Sequence, residues 1–152
     1  MLKLEELMVF RAALKEPVAV GAGPYGDRQI YDVTGGTFEG SRLKGKVLPS
    51  GGDWLLIGSD GVGRLDVRAT LETDDGARIY AQYYGVIVMN EKIVQALAGG
   101  DETHFGDTHF VTQPRFETGD ERYAWLNSVM AVAEGRTLPN AVEYRVYEVV
   151  GG

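Results

Sequence analysis

Cysteine is absent from the 152 residues, which excludes disulfides, thiolate zinc centres and cysteine nucleophiles. Histidine occurs only at positions 104 and 109. No apolar run approaches the ~20 residues that span a bilayer. Glu5 and Glu6 stand where a signal peptide would carry its apolar core, so no export signal is expected and a cytoplasmic protein is. Positive charge is also short: 15 Lys and Arg against 22 Asp and Glu leave a formal charge of −7, which argues against nucleic acid and anionic membranes as partners. Serine lacks a GxSxG elbow, and no P-loop, zinc-ligand spacing or EF-hand pattern occurs. No cofactor is implied.

Glycine, by contrast, is abundant at 21 residues, and it sits mostly between short apolar runs. That punctuation, over a length suited to one domain, predicts an all-β chain with many turns. Leu65–Thr73 gives the clearest strand: Leu65, Val67, Ala69 and Leu71 alternate with Asp66, Arg68, Thr70 and Glu72. Arg28–Phe38, Leu43–Leu48, Trp54–Ile57, Ile79–Met89, Thr108–Thr118, Ser128–Ala133 and Val142–Val150 supply further strands, with Pro49 to Asp53 read as a link. Leu4–Leu14 fits a strand or a short helix, and its β-rich company favours strand. Asp60-Gly61 and Asp74-Asp75-Gly76 are hairpin turns. Asn90–Ala98 is the one helix, capped by Asn90 and stopped by Gly99-Gly100. Glu121–Asn127 suits a 3₁₀ turn. About nine or ten strands and one helix predict a single antiparallel β-barrel domain over residues 1–152.

Gly21, Gly23 and Gly26 spell GxGxxG, but Pro24 lies inside the motif and β-like sequence follows it. The pyrophosphate of a dinucleotide needs a helix there, so a glycine-rich loop is the better reading.

Asp66, Arg68 and Thr70 fall on one side of their strand, roughly 7 Å apart in succession. Turned inward, they would hold a carboxylate and a guanidinium together in low dielectric, able to grip an anionic or carbonyl-bearing ligand. Turned outward, they would be an ordinary solvated face. Arg115 and Glu117 repeat the pattern, either as a second inward pair or as an exposed ion pair. Asp66 and Glu117 are the candidate general acid–base groups. His104, Asp107 and His109 cluster without a third imidazole, so no metal is expected, and His109 suits a hydrogen-bonding role in a pocket. Trp54, Tyr83, Tyr84, Tyr123 and Trp125 would line a cavity or fill the core. Asn127 suits either a ligand contact or a bond to nearby backbone.

Three stretches together are similar to one known family: GGTFEG at 35–40, Asp53-Trp54 with LDVRATLETDDG at 65–76, and PRFETGDERYAWLN at 114–127. The chain resembles the DUF3237 family, also called UPF0311, from about Leu4 to Val149. The resemblance implies a single barrel of lipocalin-like shape and brings no settled activity. Its recurring polar and aromatic positions match Glu39, Trp54, Asp66, Arg68, Arg115, Glu117 and Asn127. The chain departs from the family pattern at His109, where Tyr is common, and at Ser41, where proline often stands. The function expected is small-molecule binding in the barrel by Arg68, Arg115, Trp54, Glu39, Tyr84, His109 and Asn127. Cofactor-independent acid–base chemistry of isomerase, lyase or cyclase type would be an added activity. The alternatives are a non-catalytic carrier or sensor, and a homodimeric interaction module built on exposed strand faces.

Overall fold

The computed structural model describes residues 1–152 and contains nine strands: β1 Lys3–Leu14, β2 Val18–Gly23, β3 Gly26–Glu39, β4 Lys44–Ile57, β5 Val62–Thr73, β6 Arg78–Val88, β7 Phe110–Glu117, β8 Ala131–Leu138 and β9 Ala141–Val150. One α-helix, α1, spans Glu91–Leu97, and a 3₁₀ segment spans Glu121–Ser128. The sheet runs β1-β9-β8-β7-β6-β5-β4-β3-β2, and β1 also pairs with β3. Eight antiparallel strands therefore close into a barrel, with β2 hung on the outside of β3. No helix is long and apolar enough to cross a membrane.

The alternation seen in the sequence decides which side faces in. Leu65, Val67, Ala69 and Leu71 on β5 are buried, as are Ile79, Ala81 and Tyr83 on β6 and Phe110, Thr112, Pro114 and Phe116 on β7. Their alternates stand outside. At the centre, Phe10, Tyr83, Phe110 and Tyr144 pack ring against ring, with centroids 5.2 to 6.2 Å apart. Such pairs add about 0.5–1.5 kcal/mol each beyond the area they bury. Phe110 gains its space from Gly135, where a Cβ would lie 2.8 Å from the ring. The interior is thus filled by side chains, and its voids measure about 10 and 20 Å³.

Two segments differ from expectation. Pro49 to Asp53 is not a link: β4 runs through it as one strand with a register shift against β5 between Val47 and Gly51. The irregularity there explains why the sequence reads as two runs. Likewise β8 extends to Leu138 and turns at Asn140, whose φ of 54° suits a tight hairpin. The helix begins as read, with the Asn90 side chain accepting from the Ile93 N–H at 3.0 Å. The GxGxxG glycines make the β2–β3 hairpin, with Gly23 paired to Gly26.

Closure depends on glycine at the seam. On the β1–β3 ladder Gly36 pairs with Ala12 at φ +137°, and a Cβ there would come to 1.9 Å from the Arg11 carbonyl oxygen. Gly36→Ala should therefore cost more than about 1 kcal/mol in urea unfolding. Gly119→Ala, with open space around it, should stay within about 0.5 kcal/mol of the parent. Equal effects at the two positions would contradict the closure argument.

Candidate functional site

The β5–β6–β7 ladders place Asp66 opposite Tyr84 and then Gln113, Arg68 opposite Gln82 and then Arg115, and Thr70 opposite Tyr80 and then Glu117. This nine-residue grid lies on the outside of the barrel, because the apolar half of each strand has taken the inside. The inward arrangement of Asp66, Arg68, Arg115 and Glu117 is therefore not what the structure builds. What it builds is an outer face on which the two arginines share one row.

Adjacent strands are roughly 4.8 Å apart, so the Arg68 and Arg115 backbones are separated by about 10 Å across Gln82. Arg42, Arg64, Arg78, Arg122 and Arg136 each hold a carboxylate at 4.0 Å or less. Arg68 and Arg115 hold none. The Arg68 guanidinium lies 5.8 Å from the centre of the Trp54 ring, at the edge of cation–π range. Trp54 and Tyr84 are exposed, and the Tyr84 hydroxyl accepts from Gln82 Nε2 at 3.2 Å. Oδ1 of Asp66 is buried with no hydrogen-bond partner, an acceptor left open in a place where open acceptors are costly.

Beside the row the wall opens. β7 pairs with β8 only at Val111–Glu134 and Thr112–Ala133. The rest of β7 parts from β8, leaving a cleft of about 500 Å³ lined by Tyr80, Arg115, Glu117, Thr118, Asn127 and Met130. Asn127 holds this corner together: its Oδ1 accepts from the Thr118 N–H at 2.8 Å, and its Nδ2 donates to the Thr118 carbonyl at 3.0 Å. Both ends of that amide are spent on backbone.

The remaining candidates lie elsewhere. Glu39 lines a separate hollow of about 170 Å³ between β1, β9 and the end of β3. His109 is exposed before β7, and its carbonyl accepts from the Val88 N–H. Asp107 accepts from the His104 N–H at 2.9 Å, and no three His, Asp or Glu residues come together as a metal would need. Tyr83 is core; the Tyr123 hydroxyl donates to Asp75, and Trp125 lies under Arg42.

One group escaped the sequence reading. Asp53 sits in the Asp-Trp pair, but its alternation was hidden by the irregular register of β4. It points inward, 9% exposed, and accepts from the Asp66 N–H at 3.1 Å in a gap in the β4–β5 ladder. Burial raises its pKa from 3.8 to about 7; the charge of Asp66 adds to the rise, while the Asp66 N–H and Arg28 oppose it. Burial also raises Tyr31, Tyr83 and Tyr144, with the Asp53 charge contributing to each.

The model for "Protein of unknown function (DUF3237)" matches residues 2–149. The chain belongs to the DUF3237 family. A UPF0311 protein of Rhodopseudomonas palustris is 31% identical over 149 residues, covering 97% of each chain. Among solved structures, a β-barrel like protein from Acinetobacter baumannii is 37% identical with a TM-score of 0.85, over 99% of this chain and 97% of that one. An enzyme from Penicillium herquei is 22% identical with a TM-score of 0.72, over 98% of this chain and 95% of that one, a likeness of fold.

The raised Asp53 pKa gives the DUF3237 barrel a defined pH response. A carboxyl whose folded pKa lies above its unfolded value contributes stability that is fully present below about pH 4 and is lost as the pH rises through about 7. A rise from 3.8 to about 7 corresponds to roughly 4 kcal/mol at most. Asp53→Asn keeps the acceptor for the Asp66 N–H and removes the charge. Urea titrations from pH 4 to 8 should show wild type losing stability relative to this variant, and parallel curves would refute the buried charge.

Proposed function

We infer that this protein binds a small anionic or carbonyl-bearing metabolite on the outer face of its barrel. The carrying observation is the Arg68–Gln82–Arg115 row, in which two arginines without carboxylate partners flank an amide beside a 500 Å³ cleft. Guanidinium groups grip carboxylates through paired N–H donors, and two of them about 10 Å apart at the backbone converge on one anion. Gln82 supplies a donor between them. The body of the ligand lies in the cleft beside Tyr80 and Met130, since metabolite sites are concave with few polar anchors.

Asp66 is the acid–base candidate on this face, acting through Oδ2, since its Oδ1 is buried. Arg68 beside it would stabilise negative charge on the oxygen from which that proton is drawn. A barrel of this shape is also that of an enzyme from Penicillium herquei. Glu117 borders the cleft as the second carboxylate.

Calorimetry and thermal shift against benzoate, salicylate and phenylpyruvate test the reading. Binding should weaken at least tenfold in Arg68→Ala and in Arg115→Ala, the loss of about 1.4 kcal/mol or more expected of a charge-assisted bond. Arg78→Ala, whose arginine already bonds Glu72 at 3.1 Å, should bind as the parent does. Binding indifferent to both Arg68 and Arg115 would remove the outer face from consideration.

A further inference from the structure

The opposite end of the molecule's chemistry lies under α1. There the barrel opens into a cavity of about 520 Å³, with Tyr31, Ile57, Met89, Val94, Leu97 and Asn140 among its walls. Tyr31, Met89 and Leu97 also bound the inner void of about 20 Å³, so the two spaces share a wall made by these side chains. Asp53 is the one charged residue lining the inner void. Its Oδ1 takes the Asp66 N–H at 3.1 Å, and no cation-bearing side chain lines the void beside it.

Charge in this region has one sign. Glu16 stands at the rim of the outer cavity, and neither space is lined by Lys, Arg or His. Arg28, whose charge opposes the rise in the Asp53 pKa, lies on the outer side of β3, where its Nη1 donates to the Trp54 carbonyl at 2.8 Å. A carboxylate taken out of water without a paired cation is expensive, and such a group either takes up a proton or meets a cation that arrives with its own hydrogen-bond donors. Void size selects it further, since about 20 Å³ admits one water-sized group, the size of an ammonium head.

We propose that the barrel end beneath α1 is a second binding site, for a small primary amine with an apolar body, whose ammonium group enters the inner void against Asp53 while its body fills the cavity walled by Leu97, Val94 and Met89. Met89 and Leu97 form the partition, and both are flexible, partly buried side chains packed on the core; Met in particular re-packs readily. Asp53 and the Tyr31 hydroxyl offer acceptors for two of the three ammonium protons. The site differs from the outer face in charge, in location and in ligand, and does not rest on that reading.

Phenethylamine and hexylamine are the probes, with 1-hexanol and hexanoate as neutral and anionic controls. Both amines should raise the melting temperature of the full chain, and the two controls should not. ¹H–¹³C methyl spectra should shift at Met89 and Leu97 on adding amine. Asp53→Asn should weaken amine binding at least tenfold, and Leu97→Trp, which fills the outer cavity at the partition and leaves the carboxyl in place, should do the same. Arg68→Ala and Arg115→Ala should bind amine as the parent does. Absence of amine binding to the wild-type chain overturns the proposal, as does binding that survives Leu97→Trp. Should Asp53→Asn fail to fold, Leu97→Trp and the methyl shifts decide alone. Amine binding abolished by Arg68→Ala would move the ligand to the outer face and refute the site under α1.

Discussion

Closure of the sheet rests on the antiparallel ladder between β1 and β3, and that ladder runs through a position only glycine can occupy. The Gly36 backbone lies so close to β1 that a methyl group would enter the Arg11 carbonyl. Once β1 is held there, β9 and β8 follow along its other edge, and the pairing β1-β9-β8-β7-β6 returns the sheet to β5 and β4. Closure removes the open edges of the main sheet. It also fixes which half of every strand is inside, since side chains alternate and a barrel has one interior. Glu143 supports the seam from outside: it accepts from Arg11 Nε and Arg136 Nε at 3.0 Å, tying β1, β9 and β8. Burial opposes ionisation of Glu143, and the bonds from Arg11 and Arg136 prevail and hold its pKa low.

From that choice of face the chemistry follows. Phe10, Tyr83, Phe110 and Tyr144 occupy the middle of the barrel, so the space for a ligand lies at its end and at its side. Polar residues of β5, β6 and β7 form a grid outside, and their order along it is set by register alone. Arg68 and Arg115 are 47 positions apart in sequence, yet two ladders bring them into one row. The side of the barrel therefore carries two arginines without carboxylate partners and the end beneath α1 is acidic, on a chain whose total charge is −7. The 500 Å³ cleft exists because β7 and β8 share only two residue pairs before the 3₁₀ segment parts them.

Most of this architecture is legible in the sequence. β5, β6, β9 and α1 announce themselves because alternation, hairpin turns and a capping asparagine are local signals. Strand β4 does not, because its irregular register interrupts the alternation between Val47 and Gly51 and makes one strand look like two. The same interruption hides Asp53, whose inward direction cannot be read across an irregular register. Spacing places Asp66 with Arg68 and Arg115 with Glu117, but period two is symmetric and does not say which side is inside. The resolution comes from competition: Leu65, Val67, Ala69 and Leu71 have more to gain from burial than Asp66, Arg68 and Thr70. Glu39, His109 and Asn127 lie away from the row or are spent on backbone, because a motif's neighbours in sequence are not its neighbours in a sheet.

The central claim is that the outer row, rather than the packed interior, receives the ligand. A crystal structure of the chain grown with an aromatic carboxylate such as salicylate tests it most directly. The account predicts the carboxylate between Arg68 and Arg115 over Gln82, with the ring in the cleft beside Tyr80 and Met130. Carboxylate density within the barrel, or a row left vacant at saturating salicylate, would contradict it.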